Sequence, residues 1–360
     1  MRHLKAATVA MLVALASPAL AQTGPGSAPA LPAPQVPGPV APEEPPPCRP
    51  VADTPSIRID PAAAARLAEI GLDRAAIFAR MHETSIPETS GCWATPTGNF
   101  DSQLISVGMA QWNFGTGSLQ PVLAAWRKQF RHRRDFKRAR DALAPTYGKL
   151  LFSKDCLAVP VAEKCRDAIL AAEDAKGTLS PVLTAELTAL FENDAMLQVQ
   201  SDAYIALLDQ VRLDVLRMFA GEPITMRKVR WAIDTRVQQG GFPADEDIAR
   251  LRAKLAAMPA AERWPRLRAI VDWYGALART IDADGIAHDW QWNVAAWTCL
   301  IDAGRIDPEQ YELMSLTFLR SRTAVGNSGR WQALAFERRA KIVLGVGSVS
   351  GVRDGACGAD

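Results

Sequence analysis

From Pro61 to Leu344 apolar residues recur every three or four positions in one segment after another, and runs with a period of two are nearly absent. That spacing commits most of the chain to helices packed on helices. The candidate helices are 61–80, 119–130, 161–176, 181–220, 225–239, 245–257, 260–281, 289–303, 308–320 and 329–344. Asp60-Pro61 is a start signal, because Asp caps free amides and Pro fits the first turn. Gly240-Gly241 is a stop. The pattern breaks at 90–117, which is rich in Gly, Thr, Ser, Asn and Trp. It reads as a long irregular or short-stranded loop between helices, the kind of segment in which function concentrates.

Before the helices lies a different composition. Arg2, His3 and Lys5 precede an apolar run from Ala6 to Ala16 and the small-residue triplet Ala19-Leu20-Ala21. Residues 1–21 therefore read as a signal peptide cleaved before Gln22, and the product is expected to be periplasmic or secreted. Residues 22–54 read as a Pro-rich disordered tether, with 11 of the 25 prolines between Thr23 and Pro50 and no aromatic residue there. Such a segment extends at ~3.1 Å per residue. The folded domain is expected at 55–350, as one body or as two lobes divided near 150–180, with a tail at 351–360. No other run approaches the ~18 apolar residues of a membrane span.

Charge and cysteine content narrow the partners. Lys+Arg number 41 and Asp+Glu 39, a formal charge of +2, and removing Arg2 and Lys5 makes the remainder neutral. That balance does not suit a surface built for nucleic acid, so no nucleic-acid partner is expected. The six cysteines, Cys48, Cys92, Cys156, Cys165, Cys299 and Cys357, all follow the leader, which predicts disulfides in an oxidising compartment. Cys156 with Cys165 across Pro160 is the best local pair, and Cys48 with Cys357 would staple the chain ends. The four histidines are scattered, so neither zinc nor a cofactor is expected. A phosphate-binding Gly-rich loop, a His-Glu-x-x-His helix and a Gly-x-Ser-x-Gly elbow are all missing.

The chemistry-bearing residues cluster around the irregular segment. Glu88 and Asp101 bracket its first part, beside Trp93 and Trp112. Two carboxyls so placed suit an acid and a second charge around a glycosidic bond, and aromatic surroundings raise the pKa of a proton donor. Glu83 is the rival acid, expected in the last turn of the first helix where negative charge is disfavoured. Trp126, Trp231, Trp264, Trp273, Trp297 and Trp331 fall at helical spacings and are expected in the core. Trp93 and Trp112 are expected to stack on sugar, and Trp290 to Asn293 to line a groove. Between Arg127 and Arg140 eight of fourteen residues are Lys or Arg. Such a run is ordinarily a solvated helix face, and as a functional surface it would attract a polyanion. Arg338-Arg339 is expected at the surface, in ion pairs.

The segment Glu88-Thr89-Ser90-Gly91, then Gly98-Asn99-Phe100-Asp101 and Ser106-Val107-Gly108-Met109-Ala110-Gln111-Trp112-Asn113-Phe114-Gly115, followed by Ser118-Leu119-Gln120-Pro121, resembles the lysozyme-like superfamily. It is similar especially to goose-type lysozymes and lytic transglycosylases, and to a bacterial peptidoglycan-associated group within that superfamily. The resemblance implies a mainly α fold: a lysozyme-like helical domain with a long irregular active-site loop, enlarged by additional C-terminal helices. It implies Glu88 as general acid, Gln111 as a substrate-positioning group and Asp101 as candidate second carboxylate. Ser106, Trp112 and Asn113 stand with Gln111 as substrate-binding candidates, and Asp234 and Gln239 as secondary ones near the cleft. Trp112-Asn113 replaces the Asp that goose-type enzymes carry after the Gln motif, a departure that favours single-carboxylate chemistry. The implied substrate is the glycan strand of peptidoglycan. The alternatives are a non-catalytic peptidoglycan-binding protein with the same groove, and a chitosanase-like hydrolase.

Overall fold

The computed structural model describes residues 48–53, 57–99, 102–281, 289–324, 328–355 and 357. The leader, the tether up to 47 and Asp101 lie outside them. The described residues all fall in one compact unit.

The fold is mainly α. Helix α1 (Pro61–Ala68) starts where Asp60 accepts from the Ala63 amide, with Pro61 at its head. The expected helix 61–80 does not continue, because Gly71 takes φ +77° and Asp73 caps a new helix, α2 (Arg74–Thr89). Consequently Glu83 sits inside α2, and Glu88 lies in its last turn with Pro87 accommodated within the helix, past the expected end at residue 80. Ser90, at φ +54°, ends it.

The expected irregular segment contains one small hairpin, β1 (Ser106–Val107) antiparallel to β2 (Trp112–Asn113), with Ser106 opposite Asn113 and Val107 opposite Trp112. Next come α3 (Leu119–Lys128), α4 (Arg133–Leu143), α5 (Gly148–Leu151) and α6 (Glu163–Leu170). The expected helix 181–220 is two, α7 (Pro181–Phe191) and α8 (Asp194–Met218), because the Asn193 side chain caps the second from the Ala195 amide. Then follow α9 (Met226–Gln239), α10 (Asp245–Ala257), α11 (Ala260–Ile281), α12 (Trp290–Asp302), α13 (Pro308–Ser321) and α14 (Gly329–Leu344). A second hairpin pairs β3 (Gly347–Val349) with β4 (Val352–Asp354).

Helix α8 is the hub of the first half, with α1, α3, α7 and α9 packed on it. Helix α14 is the hub of the second, touching α9, α11, α12, α13 and β3. Helix α9 therefore joins the halves. Trp126, Trp231 and Trp297 are core residues as expected, whereas Trp264 is 37% exposed, at the start of α11. No helix of the described residues is long and apolar enough to cross a membrane.

Three disulfides close the fold: Cys48–Cys92, Cys156–Cys165 and Cys299–Cys357. The local pair is as expected. The staple between Cys48 and Cys357 is not formed, because each end is fastened to its own neighbourhood: Cys48 to the turn after α2, and Cys357 to α12. With every cysteine oxidised, none is a thiolate ligand for zinc.

Candidate functional site

The last turn of α2 presents Glu88 to α14. The Arg338 guanidinium donates to Glu88 Oε1 at 2.6 Å through Nη1 and to Asp234 Oδ1 at 2.8 Å through Nε. Arg339 donates to Asp234 Oδ2 at 3.1 Å, to Gln238 Oε1 at 2.8 Å and to Gln239 Oε1. One network thus joins α2, the C-terminal half of α9 and α14. Glu88, Asp234 and Gln239, separated widely in sequence, are brought together by two arginines.

These arginines are the residues that sequence reasoning missed. They are ion-paired, but they are not at the surface: Arg339 is fully buried and the side chain of Arg338 is 11% exposed. Burial alone would lower both. For Arg338 the charges of Asp234 and Glu88 outweigh it and raise the pKa further. For Arg339 burial wins, with Arg338 and Arg320 adding repulsion, and the guanidinium is pushed down to about 10. Both remain cations at neutral pH. Removing either partner of such a pair strands a buried charge, which costs about 3–5 kcal/mol. The geometry is therefore stiff, and Asp234 holds Arg338 independently of Glu88.

Glu88 also occupies the C-terminal end of α2, where the helix dipole opposes negative charge and Arg338 supplies the compensation. Beside the network a cleft of about 390 Å³ opens between α2, α9, α14 and the β3–β4 hairpin. Arg338 and Asp234 line it, together with Arg80, His82 and Glu83 of α2 and Lys341 of α14, whereas Glu88 stands at its side, outside the lining. Glu83 is gripped from two directions, by Arg80 at 2.6 Å and by Arg230. The rival acid of the sequence reading is thus part of the wall's ion pairing. Lys341 donates to the Val352 carbonyl at 2.6 Å and pairs with Asp354 at 3.2 Å, which pins the C-terminal hairpin over the cleft.

The irregular segment is built from the inside out. Gly108 takes φ +89°, and a Cβ there would stand 2.7 Å from the Trp112 ring and from Gln200 Oε1. Only glycine fits this position. Gln200, buried on α8, accepts from the Met109 amide at 3.1 Å and donates to the Phe191 carbonyl at 2.8 Å, so it pins the hairpin to the core. Gln111 donates to the Thr95 carbonyl at 3.1 Å and accepts from the Thr97 hydroxyl at 3.1 Å. Thr95 in turn donates to the Thr89 carbonyl at 3.2 Å, beside Glu88. Gln111 is thus tied to the end of α2 by a relay of loop contacts.

The other expected site residues are placed less openly. Trp93 is fully buried and Trp112 is 9% exposed, so neither offers a free face for a sugar to stack on, a correction to the sequence reading. Ser106 is buried in the hairpin, its backbone paired with Thr97. The Asn113 carboxamide accepts from the Thr116 amide and hydroxyl, both at 2.8 Å, and holds the turn. In the expected groove at Trp290–Asn293, Asn293 is buried and bonded to both backbone groups of Ser348. It is an anchor for β3 and no groove wall.

No known protein family matches the chain, and no curated protein or solved structure is significantly similar to it.

Proposed function

We propose that the protein is an exported, lysozyme-like enzyme that cleaves the glycan strand of peptidoglycan, as a lytic transglycosylase or muramidase, with Glu88 as general acid and base. The observation that carries this reading is the convergence on Arg338 and Arg339: Glu88 at the end of a helix, Asp234 and Gln239 from a helix far along the chain, all joined in one stiff network beside a cleft. Three disulfides support an oxidising, exported destination, periplasmic or secreted.

A single carboxyl suffices for the chemistry. Glu88 gives its proton to the glycosidic oxygen as the anomeric carbon–oxygen bond breaks. It then takes the proton of the attacking hydroxyl, from the sugar's own 6-position or from water, as the new bond forms. Arg338 releases the carboxyl to the substrate without leaving, because Asp234 continues to hold it. The test is Glu88→Gln in the mature protein, residues 22–360, incubated with purified sacculi and followed by mass spectrometry of soluble products. Wild type is expected to release muramyl products and the variant to release about a hundredfold less or lower. Equal release from both would end the proposal.

A second reading is favoured by two observations: the Glu88 carboxyl is engaged by Arg338, and the Asn113 side chain is spent on its own turn. That arrangement suits a wall-binding protein without turnover. Binding of sacculi with no sugar released by either protein selects it.

A further inference from the structure

Ion pairs are spread over most helices of this molecule. At least one arginine of each of α1, α2, α8, α9, α10, α11 and α14 is matched to a carboxylate. In the basic run from Arg127 to Arg140 only Arg140 is, to its neighbour Asp141 at 2.6 Å. Among the described residues, Arg131, Arg133, Arg134, Lys137 and Arg138 form no ion pair, and all are exposed. Without this run, the chain has more acids than bases.

The local structure makes the excess costly. Arg133 and Arg134 open α4, at the end where the helix dipole disfavours cations, and His132 provides no side-chain cap. Phe136 is the only buried residue of α4. Arg133 and Lys137 stand one turn apart, as do Arg134 and Arg138, so the four form a two-row exposed stripe that runs from the flank of Phe136 round to the opposite face, ~5.4 Å between turns. The aromatic rings of the segment are turned inward: Phe130 and Phe136 both pack on Trp126. The stripe thus has no platform for stacking bases and no apolar wedge for entering a bilayer. Helix α4 rests on α5 and α7, and contributes nothing to the lining of the cleft.

We infer that the α4 stripe is a docking surface for a carboxylate-bearing polymer, the peptide stems of peptidoglycan, which holds the protein on the wall while the cleft works elsewhere. This rests on the proposed substrate and adds to it a second point of attachment, electrostatic and remote from Glu88. The test compares the mature protein with the variant R133Q/R134Q/K137Q/R138Q, after checking that the two melt at the same temperature. Co-sedimentation with sacculi is measured across a salt series, and sugar release is scored separately on soluble glycan fragments. Retention is expected to fall about tenfold or more at low salt, with a shallower dependence on salt, because fewer counter-ions are released. Fragment cleavage is expected to stay unchanged. Equal retention of the two proteins at every salt concentration overturns the inference even where cleavage is normal. Binding of the wild type to vesicles of anionic phospholipid in place of sacculi overturns it too, by assigning the stripe to a membrane. Retention that depends on the stripe without any cleavage upholds the docking surface and removes the enzyme.

Discussion

At the scale of single residues, three consecutive side chains of α14 carry charge into the interior: Glu337, Arg338 and Arg339. The arginines find carboxylates, whereas Glu337 forms no ion pair among the described residues. Its Oε2 accepts from the Tyr274 hydroxyl at 2.7 Å. Burial pushes its carboxyl up to about 8; the Tyr274 hydrogen bond and the Arg338 charge pull it down, and the charge of Asp289 pushes it further up. The folded protein therefore keeps a proton that the unfolded chain gives up near the ordinary carboxylate value of 4.5. Stability from this group is full below that value and is lost as pH rises towards 8, by up to about 1.4 kcal/mol per pH unit. Glu337→Gln cannot ionise, so its melting temperature should fall less than that of wild type between pH 5 and pH 8. Parallel curves over that range would show that the carboxyl does not titrate as its burial demands. Sequence reasoning named Glu88, Asp234 and Gln239 but assigned Arg338 and Arg339 to the surface. Phe336, Ala340 and Val343 already supply α14 with a buried stripe, and Arg338 points away from it. Only the arrival of α9 and the end of α2 on that other side withdraws the arginine from water, and no local pattern announces it.

At the scale of elements, periodicity located the helices well and their interruptions poorly. The bounds of α10, α11 and α14 agree with the spacing of their apolar residues. The breaks at Gly71 to Asp73 and at Asn193 were missed because the apolar rhythm continues through them, while a left-handed glycine in one case and a side-chain cap in both redirect the backbone. That redirection puts Glu88 in a helical turn. The β1–β2 hairpin depends on a different kind of contact, the space that Gly108 leaves for Trp112 and Gln200. Gly108→Ala combines a disfavoured backbone angle with two close contacts, and a cost of about 2–4 kcal/mol is expected. Denaturant unfolding measures it, and a loss under ~0.5 kcal/mol would mean that the hairpin is not seated as described.

At the scale of the whole molecule, α9 couples the two hubs, and the disulfides fasten both ends of the described fold. The pair Cys299–Cys357 closes 58 residues and should be worth about 4 kcal/mol through the unfolded chain that it restrains. Replacing both cysteines with serine should lower the melting temperature by several degrees, and an unchanged melt would show that the C-terminal hairpin is held by its other contacts alone. The fold class was legible from the sequence because helical rhythm is local. The closing of the ends was not, since each cysteine chooses a partner by position in space.

The bridges also decide what a protease can accomplish. A single cut anywhere in 49–91, 157–164 or 300–356 leaves two peptides that are still joined through sulfur. Nicked protein would migrate as one species until reductant is added, and a clip in any of these stretches would wound the domain without releasing either fragment from it.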